Sequence, residues 1–275
     1  MSEIYKYTPY DSIRFGCNAG CGHWRVLVKF GAGVSQIEVN FATQAALFRG
    51  IRKRLRQRTG FALATLNLDH LSKLRHDATF ARAYTAHDIV IADGRPVVWL
   101  SRIARSPVAL MPGADLILPL CALAAEMDAP IALVGSSDAV LQGAADALLQ
   151  STPGLKIVYR HAPAFGFDPT RPEADAIFET LSKSGAPICF IALGAPKQEV
   201  FAARGRGQAP NIGFVSIGAG LDFLSGHQVR APQIMRNLAL EWLWRAAQEP
   251  RRMVPRYLKC FAVLPGLVAQ AFRQR

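Results

Sequence analysis

Between residues 61 and 217, short apolar runs take turns with longer segments whose apolar positions recur every three or four residues. The runs at 61–66, 88–92, 130–134, 156–159, 187–193 and 212–217 predict strands, and the segments near 69–86, 95–104, 114–127, 137–149, 171–184 and 196–207 predict helices. The strand runs are too continuous for a sheet wetted on one face. They predict an α/β fold, a mainly parallel sheet with helices on both faces. Upstream, 24–30 alternates as a strand does, and 41–57 reads as a helix carrying Leu47, Ile51 and Leu55 at four-residue spacing. Residues 1–23 show no period and predict an irregular lead-in.

The pattern changes at Arg230. From there the chain is helical in character and rich in Trp, Arg and Leu, with Pro250, Pro255 and Pro265 predicted to interrupt it. The chain therefore divides into an α/β body, 1–229, and a basic C-terminal helical appendage, 230–275. No stretch reaches the roughly 18 apolar residues of a spanning helix, and the N-terminus has no apolar signal region. A cytoplasmic protein is expected.

Composition adds a polyanionic partner: the 275 residues carry a formal charge of +12. Arg49, Arg52, Lys53, Arg54, Arg56 and Arg58 crowd one stretch without an acid, and residues 251–275 again contain only basic charges. Nucleic acid, anionic lipid and diphosphates all fit such charge. A nucleic-acid partner is disfavoured, because the basic run lacks interleaved aromatics and no binding motif appears. Cys17, Cys21 and His23 form a C-x3-C-x-H cluster without a fourth ligand, and Cys121, Cys189 and Cys260 stand alone in apolar runs, so neither a metal nor another cofactor is expected.

Polar and glycine residues collect where the predicted strands end, which in an open parallel sheet is the ligand edge. They are Thr65 and Asn67; Asp93, Gly94 and Arg95; Gly135 with Ser136 and Ser137; Gly194, Lys197, Gln198 and Glu199; and Gly218 with Asp222 a little beyond. Gly135-Ser136-Ser137 suits either a phosphate on free N–H groups or a helix cap. Asp93 suits either a general base or an N-cap. Glu199 could line a pocket or favour a helix dipole, and Asp222 could orient a loop. Arg230, Arg245, Arg252 and Arg256 in the appendage suit a diphosphate, because guanidinium groups are permanently charged forks of donors; they could equally lie in water.

Several of these stretches in this order resemble the WecG/TagA/CpsF family, glycosyltransferase family 26. The carriers are Thr65-Leu66-Asn67, Ala92-Asp93-Gly94, Gly113-Ala114-Asp115-Leu116, Leu193-Gly194-Ala195-Pro196-Lys197-Gln198-Glu199, Arg230-Ala231-Pro232 and Leu240-Glu241-Trp242-Leu243-Trp244-Arg245, followed by Glu249-Pro250-Arg251-Arg252. The resemblance covers roughly 60–260. It implies a Rossmann-like, inverting, metal-independent transferase that moves a sugar from a UDP-sugar onto an undecaprenyl-diphosphate-linked saccharide at the inner face of the plasma membrane. The donor sugar would be glucosyl or N-acetylmannosaminyl in type, with 66–70 closer to exopolysaccharide members. The resemblance implies Asp93 as base, Thr65, Asn67 and Gln198 in the sugar-nucleotide pocket, and arginines such as Arg245, Arg252 and Arg256 closing over the site at an anionic membrane surface. Many members carry an arginine where this chain has Leu110; Arg105 is a candidate substitute. A non-catalytic scaffold of a polysaccharide assembly complex is the competing reading, and a homo-oligomer stays open.

Overall fold

The computed structural model describes residues 28–32, 35–238 and 240–275. Val28–Ala32 (β1) and Ser35–Val39 (β2) pair antiparallel, Val28 opposite Val39. The strand expected at 24–30 is seen from Val28 and continues to Ala32; residues 24–27 and the lead-in lie outside the described residues. Its partner β2 was not anticipated.

The chain then runs through Gln44–Arg56 (α1), Phe61–Leu66 (β3), Leu68–Leu74 (α2), Ala78–Thr85 (α3), Ile89–Ala92 (β4), Arg95–Ile103 (α4), Gly113–Glu126 (α5), Ile131–Gly135 (β5), Asp138–Ser151 (α6), Ile157–His161 (β6), Glu173–Ser184 (α7), Ile188–Ala192 (β7), Lys197–Gln208 (α8) and Gly213–Ser216 (β8). The helix expected over 69–86 is two helices, because Asp77 interrupts it: its carboxylate accepts the Phe80 N–H at 2.8 Å and starts α3. After β8 come Gly220–Leu224 (α9), Gln233–Asn237 (α10), Glu241–Gln248 (α11) and Pro250–Arg273 (α12).

β3 to β8 form one parallel sheet in the order β4-β3-β8-β7-β5-β6. Alternate residues of each strand enter opposite cores. Phe61, Leu63, Ile89, Ile91, Leu133, Phe190 and Val215 pack with α1, α5 and α6. On the other side Ala62, Ala132, Cys189, Ile191 and Phe214 pack with α7 and α8, while Ala64, Leu66, Val90 and Ala92 pack with the hairpin, α2, α3 and α4. Burial on both faces explains why the strands read as unbroken apolar runs.

α12 joins this last core. Met253, Cys260, Val263, Leu267 and Ala271 recur at helical spacing and are buried. The end of α12 is stitched to β1: the Lys29 N–H donates to Gln274 Oε1 at 3.0 Å, and Gln274 Nε2 donates to the Lys29 carbonyl at 2.5 Å. The prolines do not interrupt the helix as expected. Pro250 opens it, and Pro255 and Pro265 lie within it on its exposed side. There the carbonyls whose partners they remove face solvent, so water replaces the lost bonds.

The basic run at 49–58 sits at the wrong edge for a ligand role. Arg54 donates to the Gly60 carbonyl at 3.0 Å and pairs with Asp88, immediately before β3 and β4, and Arg52 grips Glu126. Its charges complement the C-terminal end of α1.

Candidate functional site

At the carboxyl end of the sheet, the loop after β4 is tied to its neighbours by backbone bonds. The Asp93 N–H donates to the Leu66 carbonyl at 2.7 Å, and the Met111 N–H to the Ala92 carbonyl at 2.8 Å. The N-cap of α4 is Gly94, at φ 97°, so the Asp93 side chain is not the capping group. Among the described residues no donor hydrogen-bonds to that carboxyl. Burial pushes it up to about 7, Glu241 adding repulsion and Arg245 offsetting it, with smaller opposed effects from Asp115 and Arg230. The group still keeps partial solvent contact. Its surroundings therefore come from both halves of the chain: β4 and α5 below, α11 and Arg230 above.

The neighbouring strand end contributes Thr65 and Asn67. Thr65 is buried beside Gly113, whose Cβ position lies 3.2 Å from the Thr65 methyl. Asn67 caps α2, its Oδ1 accepting the His70 N–H at 3.0 Å; a Cβ on Gly94 would lie 3.6 Å from its own.

Two turns next to it are more structural than the sequence suggests. Gly135 adopts φ 117°, and a Cβ there would stand 2.4 Å from the Ala192 carbonyl oxygen, so the glycine is required for β5 to close on β7. The Ser136 N–H donates to that same carbonyl at 2.9 Å, and Ser137 caps α6 through the Val140 N–H. Of the two roles open to Gly135-Ser136-Ser137, the structure shows the helix cap, with the Ser136 N–H spent on a strand contact. Ser136 Oγ donates to Asp222 at 3.2 Å, so Asp222 does hold a loop.

At the start of α8 the exposed Gly194 and Lys197 face outward, while Gln198 and Glu199 are buried. Gln198 clamps the β8 loop: its Oε1 accepts the Gly218 N–H at 3.1 Å and its Nε2 donates to Glu199 at 2.8 Å. Glu199, expected to line the pocket, has no exposed surface and cannot touch a ligand directly. Burial pushes its carboxyl up to about 7 against the opposing Gln198 bond.

The appendage arginines separate into two groups. Arg230 pairs with Asp115 at 2.5 Å, and both Arg230 and Arg245 place their guanidinium carbons 5.8 Å from the centre of the Phe223 ring. With Arg252, Trp244 and Met253 they line a crevice of about 30 Å³. Arg95 ties this cover to the sheet edge by donating to the Arg236 carbonyl at 3.1 Å. Arg256 does not join them. It grips Asp69 on α2 with Nε at 2.6 Å and Nη2 at 2.7 Å, so its donors are engaged by the protein. Arg245 lies on α11 and Arg252 and Arg256 on α12, with a break at Glu249, whose φ is −135°. The three therefore do not lie on one continuous helix.

A family model described as the glycosyl transferase WecG/TagA/CpsF family matches residues 33–275. The chain belongs to this family. It is a glycosyltransferase, and the family places it in cell-surface polysaccharide synthesis with a nucleotide-sugar donor and a lipid-linked acceptor in general. The match begins at residue 33, well before the first family motif at Thr65, and so takes in β2 and α1. Within the family match, Arg105 follows the C-terminal end of α4. That is one helix length, about 14 Å, along α4 from Gly94. Asp115, Phe223 and Glu241 were not singled out as site residues, although Asp115 and Glu241 stand inside family motifs; only folding brings them around Asp93 and the arginines. Cys17, Cys21 and His23 lie outside the described residues. Among those described, no three His, Cys, Asp or Glu side chains gather in a metal-binding arrangement.

Proposed function

We propose that the protein is an inverting glycosyltransferase in which Asp93 removes the proton from a hydroxyl of an undecaprenyl-diphosphate-linked sugar. The observation that carries this reading is the Asp93 carboxyl: it has no capping role and, among the described residues, no hydrogen-bonded partner, and burial raises it to about 7, where a base is most effective. As the proton moves to Asp93, the acceptor oxygen attacks the anomeric carbon from the face opposite the diphosphate. The bond from that carbon to the UDP oxygen breaks, and the configuration inverts. Arg230, Arg245 and Arg252 stabilise the charge on the departing diphosphate in the place a metal would take.

Asn67, Gly94 and Lys197 are read as substrate contacts at the strand ends. Thr65, Gln198, Gly135, Gly194, Gly218 and Asp222 shape the floor and loops. Arg256 is read as a tether of α12. A crevice of about 30 Å³ is an order of magnitude smaller than an ordinary small-molecule site, so α10 and α11 must shift for a diphosphate to reach its arginines. No residue of α11 is buried, which keeps that movement inexpensive.

No helix among the described residues is long and apolar enough to cross a membrane. We place the enzyme peripherally on the inner membrane face, with residues 1–229 as the catalytic body and 230–275 as the membrane-proximal part. Supporting this, α12 exposes Val254, Leu258, Phe261 and Phe272 and carries only basic ionisable charges along that outer side.

The test is transfer from a panel of UDP-sugars to a short-chain polyprenyl-diphosphate-sugar acceptor with EDTA present. Product from one donor is expected, with an inverted anomeric linkage. Absence of both product and UDP binding in folded protein would favour the scaffold reading.

A further inference from the structure

A second basic concavity lies away from Asp93. It is a cleft of about 470 Å³ lined by Gly31 of β1, Arg75 just after α2, and Gln270 and Arg273 of α12. Arg75 reaches across α12 at Gly266, its Nη2 standing 3.6 Å from where a Cβ would be. Gly266, Gln270 and Arg273 are spaced four and three apart, so they share one face of the helix. Gly31 leaves room for the Gln270 amide to lie against the strand; a Cβ there would meet Gln270 Nε2 at 2.8 Å. The Lys29–Gln274 bonds fix the two walls together.

Neither Arg75 nor Arg273 has a hydrogen bond or an acidic partner among the described residues, although most of the arginines around the candidate site do. Two guanidinium groups, which carry donors only, and the Nε2 donor of an amide converge on one cleft with no carboxylate in its lining, which is the chemistry of a phosphate receptor.

The surroundings decide which phosphate. Beside the cleft, the outward face of α12 carries Val254, Leu258, Phe261 and Phe272, all exposed, at helical spacing. Basic groups on exposed positions of α12 include Arg251 and Lys259, and there is no acid between 250 and 275. A free phosphate has no use for an apolar stripe next to its site, whereas a phospholipid has a chain to place along it.

We infer that the cleft formed by Gly31, Arg75, Gln270 and Arg273 seats the phosphate of an anionic phospholipid headgroup whose acyl chains lie along the exposed stripe of α12. This rests on the membrane reading above and adds to it a defined headgroup site.

The experiment is flotation of the full chain with phosphatidylcholine vesicles containing phosphatidylglycerol. Arg75→Gln with Arg273→Gln is compared with Arg251→Gln with Lys259→Gln, which removes the same charge from α12 outside the cleft. Circular dichroism melting should show both variants folded. The control is expected to bind no more than about 30-fold more weakly than the wild type, the diffuse worth of two membrane-facing basic charges, and the cleft variant about tenfold more weakly again. When the same negative charge is supplied by a carboxylate amphiphile without phosphate, the two variants should become alike.

Equal losses on phosphatidylglycerol would overturn the headgroup site and leave diffuse attraction. Saturable binding of inorganic phosphate that the cleft variant loses, with unchanged flotation, would reassign the cleft to free phosphate. Wild-type protein that fails to float at all would sink the membrane reading and this one with it.

Discussion

The loops after β3 and β4 leave the sheet side by side, joined by the bond from the Asp93 N–H to the Leu66 carbonyl, and each delivers an aspartate close to a basic appendage. The outcomes are opposite. Burial pushes Asp69 up, but Arg256 and Lys73 outweigh it with paired bonds and hold the carboxyl below its usual range. Asp93 receives no such bonds, and burial leaves it near 7. The same residue type at adjacent strand ends is thus a fastener in one place and, in the proposed mechanism, the reactive group in the other. What separates them is whether an appendage arginine arrives within bonding distance.

The largest expected effect tests the reactive half. Asp93→Asn should lower turnover by about 10²-fold or more while the fold is kept. Next in size, Asp69→Ala should destabilise the protein by about 2 kcal/mol, below the range for a fully buried pair because Arg256 is partly in water; chemical denaturation reads this directly. A smaller pair of changes sharpens the division of the arginines. Arg245→Ala should reduce turnover about tenfold with little change in melting temperature, and Arg256→Ala should do the reverse. If Arg256→Ala instead raised KM for the donor without loss of stability, the fastener assignment would be wrong. The smallest effect is Ser137→Ala, which should cost about 1 kcal/mol of stability as a lost cap and leave KM unchanged.

The two aspartates should also have opposite pH signatures. With its folded pKa raised, Asp93 contributes stability that is present below its unfolded value near 4 and lost as pH rises through about 7. Asp93→Asn should therefore raise the melting temperature at pH 8 and give no gain at pH 4. With its folded pKa lowered, Asp69 contributes stability that is present above about 4 and lost in acid; the penalty of Asp69→Asn should shrink there. Since the base must be ionised, kcat/KM should climb with pH to a plateau above about 7.

The sheet was legible because its strands, apart from the half-exposed edge strand β6, are buried on both faces: all six residues of β3 are buried, so apolar character is continuous. β2 was harder to see, since it spans only five residues and buries Ile37 and Val39 but not Gln36 or Glu38. The strand-end glycines and polar residues gave the edge of the site, and the family motifs marked Asp93. Other roles depended on distant partners. Nothing near Arg256 announces Asp69, 187 positions earlier, and local pattern could not tell whether Ser136 offers its N–H to a ligand or to Ala192. The continuity of α12 through two prolines likewise turned on which side of the helix they face.

That helix presents apolar residues on two opposite sides, one against the body and one to the outside. Cutting the chain after Val229 would therefore bare apolar residues of α2, α4 and β1, such as Leu71, Leu74 and Val97, creating a fresh adhesive patch on what remains. A shortened protein that still sticks to vesicles, or to itself, would be reporting the wound rather than the native attachment. For this architecture, the proposed membrane association is to be tested by point changes on the outer stripe, not by deletion.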